Sequence, residues 1–239
     1  MSEQSFTKQN IPHRPIRSFV KREGKMTKGQ LNAIEQLWPT VGVDLSSKQL
    51  DLDSLFGRCA FTVLEIGFGN GLSLAEMAEL QPEVNFFGIE VHQPGVGSLL
   101  VQVKKRDLKN IRVSYNDAVD VIAQQIPDHS LNRIQIFFPD PWHKKRHHKR
   151  RLIQADFVAM LVAKLKPLGV LHVATDWQDY AEHILEVLSA NKQLSNFAAQ
   201  SSSNHGYSLK PDYRPSTKYE ERGKRLGHSV SDIVFTKSR

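Results

Sequence analysis

Apolar strand-like runs alternating with amphipathic helical patterns predict a doubly wound α/β domain, a mainly parallel sheet with helices on both faces. Three observations carry that reading. The run FTVLEIGFGNG (61–71) is an apolar strand that ends in an acid and enters a turn with glycines at 67, 69 and 71. The stretch FFPDPWHKKRHHKRR (137–151) leaves another apolar strand through a rim loop, because prolines on either side of Asp140 cannot continue a ladder. Finally, Glu65, Glu90, Asp117, Asp140 and Asp176 fall at the carboxyl ends of successive strands, the rim on which open α/β sheets bind ligands.

A chain of 239 residues suffices for one sizeable core and demands no second domain. Residues 1–45 read as a basic N-terminal extension, disordered to about residue 13, and 46–239 as the folded domain. The formal net charge is +7, and without the six lysines and arginines of 144–151 it is +1. Charge concentrated at one strand end favours a localised polyanion site over general solubility. No apolar run approaches a membrane span and the start MSEQSFTKQN lacks a secretory core, so a cytoplasmic, membrane-free protein is expected. The single cysteine, Cys59, excludes an intramolecular disulfide and a clustered-thiolate metal site. It reads as a small buried hydrophobe ahead of a strand.

From Arg14 to Lys28 the chain interleaves Arg14, Arg17, Lys21, Arg22, Lys25 and Lys28 with Phe19 and Val20. That arm is either a second phosphate-contacting segment or a solvated basic tail. Thr27 caps a helix carrying Leu31, Ile34, Leu37 and Trp38, stopped by Pro39. After the glycine turn, the helix of Leu72, Leu74, Met77 and Ala78 begins with its amides toward a ligand. A dinucleotide fingerprint would need glycine where Leu72 stands, which argues against a nicotinamide dinucleotide.

The strand NFFGIE ends in Glu90, placed to accept from both hydroxyls of a ribose, with His92 close behind. Pro94 opens a helix with Val96, Leu99, Leu100 and Val103 on one face. IRVSYND ends in Asn116 and Asp117, which suit the edge of an adenine or the cap of the next helix, and Asp117 can do both. LNRIQIFF leads into the rim loop. The following helix bears Ile153, Phe157, Met160, Leu161, Lys164 and Leu165 and stops at Pro167 and Gly169. VLHVATD brings Asp176 and Trp177 to the same rim, and a helix with Tyr180, Ile184, Val187 and Leu188 comes next. Residues 189–214 read as a mobile loop, and TKYEERGKRLG (217–227) precedes the last strand, SDIVFTK.

From His143 to Arg151 six residues are Lys or Arg, three are His and none is acidic, the profile of a surface that meets phosphates. A solvated loop or targeting signal is the alternative, and it fits less well with a run joined to a buried strand and followed at once by an amphipathic helix. Trp142 can stack on a base or pack beneath the loop. His143 and His147 are four apart, but six neighbouring cations oppose a divalent ion, so no metal is expected.

LEIGFGNG, then Glu90, then Asn116-Asp117 resembles the cofactor site of class I S-adenosylmethionine-dependent methyltransferases. FFPDPWHKKRHHKRR with IRSFVKREGKMTKGQ, ATDW and TKYEERG is similar, over roughly residues 14–239, to bacterial tRNA (guanine-N7)-methyltransferases, with 189–214 least matched. The resemblance implies a seven-stranded Rossmann-like methyltransferase sheet. It implies methyl transfer from S-adenosylmethionine, leaving S-adenosylhomocysteine, to N7 of a guanine in the variable loop of tRNA. A monomer is expected, with a homodimer as the alternative. The resemblance assigns Glu65, Gly67, Gly69 and Gly71 to the methionine part of the cofactor, Glu90 to the ribose, Asn116 and Asp117 to the adenine, and Asp140 to the reaction centre beside the cofactor. Lys144, Asp176, Thr217, Lys218, Tyr219 and Glu220 correspond to substrate contacts, and Arg146, His147, His148, Lys149, Arg150 and Arg151 to the RNA-interacting run. Tyr219 stands where some members have Phe.

Guanine N7 carries a lone pair and no proton, so Asp140 is expected to orient and to stabilise charge rather than to accept a proton. Asp176 or Glu220 can accept from guanine's N1–H and exocyclic amine; a helix cap and a surface ion pair are their respective alternatives. An exocyclic-amine methyltransferase would order its loop polar-Pro-Pro-aromatic, unlike Pro139-Asp140-Pro141-Trp142, and a pyrimidine-C5 enzyme would need a rim cysteine. A non-catalytic RNA-binding protein on the same fold is the rival of another class, opposed by the intact acids Glu65, Glu90 and Asp140.

Overall fold

A computed structural model of the chain describes residues 18–19, 24–200, 205–216, 220–221 and 229–239. The expectations for residues 1–13, for Arg14, Arg17, Val20, Lys21 and Arg22, and for Thr217, Lys218 and Tyr219 lie outside the described residues.

Seven strands form one sheet: β1 (Thr62–Ile66), β2 (Asn85–Ile89), β3 (Ile111–Ser114), β4 (Leu131–Phe137), β5 (Leu165–Thr175), β6 (Leu194–Asn196) and β7 (Ser231–Lys237). Their order is β3-β2-β1-β4-β5-β7-β6, parallel throughout except for β7, which runs antiparallel to both β5 and β6. Strand order reverses between β1 and β4, and the crevice above such a reversal is where open sheets bind ligands.

Helices cover both faces, as a buried parallel sheet requires. On one face α1 (Lys28–Val41), α3 (Leu72–Leu80) and α4 (Gln93–Lys105) pack Ala33, Leu74, Met77, Leu99 and Leu100 with Val63, Phe86 and Val113. On the other, α2 (Leu52–Phe56), α5 (Ala118–Gln124), α6 (Ala155–Lys164) and α7 (Gln178–Ser189) pack Phe56, Val121, Leu161 and Ile184 with Leu64, Ile134 and Val173. Every residue of β1 and β2 is buried, which explains why these strands read as continuous apolar runs rather than alternating ones.

Several boundaries differ from the sequence reading. Thr27 and Gln30 form a capping box at the start of α1, but Pro39 does not stop the helix. Pro39 takes one N–H out of the ladder, yet the helix runs on to Val41 and ends where the Gly42 N–H reaches the Trp38 carbonyl at 2.8 Å. Helix α6 ends at Lys164, so Pro167 and Gly169 lie inside β5 instead of marking the helix end. The ladder tolerates them because register against β4 shifts there, from Leu131 opposite Leu165 to Arg133 opposite Val170.

The described part of 189–214 is more structured than a loop. Strand β6 lies within them, Ser208 bridges Asp232, and Arg214 is fully buried. Cys59 is exposed rather than buried.

Candidate active site

The glycine turn after β1 is shaped by backbone conformation. Gly67, Gly69 and Gly71 have φ of 75°, 59° and 72°, a region in which a side chain is strained. Two neighbours hold the turn in place. Glu90, at the tip of β2, accepts the Gly69 N–H at 2.8 Å on one carboxylate oxygen and the Val91 and His92 N–H groups at 2.7 and 2.9 Å on the other. From the far side Gly95 in the first turn of α4 lies so close that a Cβ there would stand 2.2 Å from the Gly69 carbonyl oxygen. Burial pushes the Glu90 carboxyl above its ordinary pKa, against the opposing pull of these three amides.

Above the switch point opens a cavity of about 690 Å³. Gly67, Glu90, Asn116, Asp117, Asp140, Lys144 and His147 all line it, so most of the residues singled out in the sequence converge. Ile66, Ile89, Ile136 and Ala118 give it an apolar floor. Asn116 donates to Ser114 Oγ at 3.1 Å, and Asp117 caps α5 by accepting the Val119 N–H at 3.1 Å. Asp117 is thus a helix cap that also faces the cavity.

Glu65, Gly69 and Gly71 do not line the cavity. Glu65 is buried on β1, where its carboxylate accepts from Gln135 Nε2 at 2.8 Å. Burial pushes its pKa up to about 7, opposed by that hydrogen bond and by the charge of Arg133.

The rim loop is strained at both ends. Phe138 and Trp142, which bracket Pro139-Asp140-Pro141, have φ of 54° and 48°, left-handed values that are costly for side chains of this size. Asp140 is exposed at its crest. Trp142 Nε1 donates to the Ser18 carbonyl at 3.1 Å, and the Arg150 guanidinium lies 5.0 Å over its ring. The indole is therefore held by its neighbours, with Ser18 and Phe19 drawn to the cavity wall. His143 meets Trp177 edge-on at 4.1 Å between ring centroids, joining the loop to the tip of β5.

The cationic run forms a 3-10 helix, Lys145–Arg150, with Lys144, Lys145, Arg146 and Lys149 exposed. Partial desolvation, and then the charges of Arg146, Arg150, Lys144 and Lys149, hold His147 below the ordinary imidazole pKa. Arg151 departs from its neighbours: it is buried, and its guanidinium pairs with Asp179 of α7. Among the described residues, no group of three or more His, Cys, Asp or Glu is arranged to hold a metal ion. Nor is any described helix long and apolar enough to cross a membrane.

A family model described as "Putative methyltransferase" matches residues 60–233, from β1 into β7. A tRNA (guanine-N(7)-)-methyltransferase of Idiomarina loihiensis is 56% identical over 93% of this chain and 89% of its own length. Proteins of the same name from Shewanella amazonensis and Alcanivorax borkumensis are 53% and 51% identical, over 96% and 94% of this chain and 95% and 92% of theirs. The chain belongs to the tRNA (guanine-N(7)-)-methyltransferase family. Among solved structures, the 16S rRNA methyltransferase KamB superposes with a TM-score of 0.51 at 13% identity, over 80% of this chain and 95% of that one. The aminoglycoside resistance methyltransferase NpmB1 gives 0.50 at 17%, over 78% and 92%. These two share the fold.

In this family member the residues expected to contact substrate are dispersed. Lys144 is exposed on the cavity wall, while Asp176 is half-buried at the tip of β5 and off that wall. Glu220 is buried and accepts from Arg214 at 2.7 Å, with Lys210 at 3.4 Å. Arg214 is the centre of a cluster that the sequence reading missed. Its Nε and Nη2 donate to both oxygens of Asp232 on β7, at 2.7 and 2.8 Å. Asp232 also bonds His172 Nε2 at 2.8 Å, and Tyr213 OH lies 3.0 Å from His172 Nδ1. The guanidinium stands 5.9 Å from the rings of Phe137 and Phe138, so it links Glu220 to the strand end that carries the Asp140 loop. The readable signal was a histidine and an aspartate inside the otherwise apolar strands VLHVAT and SDIVF.

Proposed function

We propose that this protein transfers the methyl group of S-adenosylmethionine to N7 of a guanine in the variable loop of tRNA, acting in the cytoplasm. One feature carries the reading: a single cavity lined by the carboxylates Glu90, Asp117 and Asp140 and also by Lys144, the first residue of the cationic run. Carboxylates above an apolar floor suit a nucleoside that bears a sulfonium, and a volume of 690 Å³ is ample for a ligand of that size. Lys144 and the exposed Lys145, Arg146 and Lys149 that follow it suit a polyanion at the cavity mouth.

In this reading Glu90 accepts from the ribose hydroxyls while anchoring the glycine turn, Asn116 and Asp117 meet the adenine edge, and Ile66 and Ile136 flank the ring. Glu65, Gly69 and Gly71 form the support behind the methionine part, with Gly67 on the wall itself. When bound, S-adenosylmethionine supplies an electrophilic methyl group that needs only an aligned lone pair. Guanine N7 has that lone pair in the plane of the ring and no proton to lose, so Asp140 has no proton to take up. Its carboxylate orients the base and offsets the positive charge that passes to the purine. Because the acceptor is already nucleophilic, the transfer asks for no metal-bound base. Lys144, with Asp176 and the Thr217–Lys218–Tyr219 segment, holds the guanine, Glu220 anchors the end of that segment through Arg214, and Arg146, His147, His148, Lys149 and Arg150 hold the backbone around it.

The test is to incubate the protein with unmodified tRNA and methyl-labelled S-adenosylmethionine, then map the label by chain cleavage at 7-methylguanine. Label at one variable-loop guanine is expected. Label only on an exocyclic amine or a pyrimidine carbon would refute the reading.

A further inference from the structure

We infer that Arg151 and Asp179 are a pair of positioning residues for the reaction, a clamp that locks the Asp140 loop onto α7, and that Arg151 is not an RNA contact. The inference rests on the reading of Asp140 as the group at the reaction centre. Composition alone makes Arg151 the last member of a uniform cationic run, yet its side chain is only 2% exposed, whereas Lys144, Lys145, Arg146 and Lys149 face solvent.

Its guanidinium is committed on several sides. Nε donates to the Pro141 carbonyl at 3.0 Å, which fixes the Pro141–Trp142 peptide, one residue past Asp140. Nη2 donates to Asp179 Oδ2 and lies 3.1 Å from His148 Nε2. The plane stands 4.8 Å over the ring of Tyr180, whose hydroxyl accepts the Ile153 N–H at 3.2 Å. One side chain therefore ties the rim loop, the 3-10 helix and α7 together, and such a fork has a fixed geometry that lysine lacks.

The loop needs a tie of this kind. Left-handed φ at Phe138 and Trp142 persists only where the surroundings over-determine it, and the Pro141 carbonyl lies between Asp140 and the second of these residues. Asp179 supplies the counter-charge: Arg151 is the largest influence holding the Asp179 carboxyl below its ordinary pKa. Without Asp179, the covered guanidinium would lose its charged partner, and the loop would lose the fixed end of its tie.

Charge sign separates this role from RNA binding. Asp179 is an acid beside a cationic surface, with its side chain 61% exposed, so neutralising it should leave phosphate attraction unchanged or stronger. Under the clamp, Asp179→Asn nonetheless slows the reaction.

The experiment compares Arg151→Lys, Asp179→Asn and wild type in single-turnover methyl transfer at saturating tRNA and S-adenosylmethionine, alongside tRNA affinity over a salt series. The clamp predicts that each variant loses about tenfold to a hundredfold in rate, the cost of a misplaced reacting group. The double variant should lose little more than the worse single one. tRNA affinity and the slope of log affinity against log salt should match wild type, or affinity should rise for Asp179→Asn. Because Arg151→Lys can disturb folding, Asp179→Asn, which removes only an exposed charge, carries the inference alone if that variant does not fold. Full rates in the folded variants would overturn the clamp. So would a slope flattened by roughly 0.7 to 0.9 in a further variant, Arg151→Gln, which unlike lysine removes the charge; that result would make Arg151 a phosphate contact. Wild-type protein that places no methyl on N7 would instead overturn the proposed function, and this result is distinct from either of those.

Discussion

Glu90 and Gly69 are joined by a 2.8 Å hydrogen bond from the glycine N–H to the carboxylate, so the tip of β2 and the turn after β1 form one unit. The same carboxylate is the proposed ribose acceptor, and removing it should cost twice. Glu90→Ala should weaken S-adenosylmethionine binding by at least the 1.5 to 3 kcal/mol typical, on the order of magnitude, of a hydrogen bond to a charged group, because the turn is released as well. tRNA affinity should change little. Calorimetric titration with S-adenosylmethionine checks this, and unchanged affinity would show that Glu90 is not the ribose acid.

The raised pKa of Glu65 makes stability depend on pH, and a role for Glu65 in the cofactor site would make cofactor binding depend on pH in the opposite sense. Its folded-state pKa of about 7 lies above the ordinary 4.5, so the folded protein holds this proton the more tightly. The resulting stabilisation is complete below about pH 4.5 and is lost as pH rises through 7, an effect on the order of 3 kcal/mol. Glu65→Gln, which cannot ionise, should therefore melt higher than wild type above pH 7 and lose that advantage toward pH 4.5. If Glu65 supports the cationic methionine part, its affinity for S-adenosylmethionine should fall as pH drops below 7 in wild type and be low at every pH in the variant. Thermal melts and binding titrations across that range read both effects, and a wild-type affinity independent of pH would remove Glu65 from the cofactor site.

Neutralising Arg146, Lys149 and Arg150 together should weaken tRNA binding and leave cofactor binding intact. Each phosphate-binding cation removed should flatten the dependence of log affinity on log salt by roughly 0.7 to 0.9. A salt series on the triple variant is decisive, since a run that is only solvated would leave the slope unaltered.

Asp140 distinguishes charge stabilisation from proton abstraction. Asp140→Asn keeps polar contacts and should retain a measurable single-turnover rate with saturating tRNA, while Asp140→Ala should lose more. Near-complete inactivity of the Asn variant, with wild-type activity falling as the carboxylate protonates, would point to a general base.

Much of the fold was legible because the central strands are continuous apolar runs and the glycine turn needs left-handed φ at 67, 69 and 71. Strand β6 was not, since Leu194-Ser195-Asn196 contains one apolar residue and exists through its pairing with β7. Nor was the passage of α1 through Pro39, because that helix is held by the packing of Ala33, Leu37, Trp38 and Val41 in the core, which local sequence does not show. At the site, acids at strand tips located Glu90, Asp117 and Asp140 on one cavity. What local sequence could not separate was Arg151 from Arg150, adjacent and chemically alike, since only the position of Asp179 28 residues later decides which of them is buried. The buried Arg214–Asp232 pair escaped for the same reason.

The central claim is that the acceptor is the lone pair on N7. Its most direct test is a tRNA carrying 7-deazaguanine, which has a C–H in place of N7, at the methylated position. The account predicts that this tRNA binds and competes like the natural one yet takes up no methyl from S-adenosylmethionine. Methyl incorporation into that residue at the ordinary rate would contradict it.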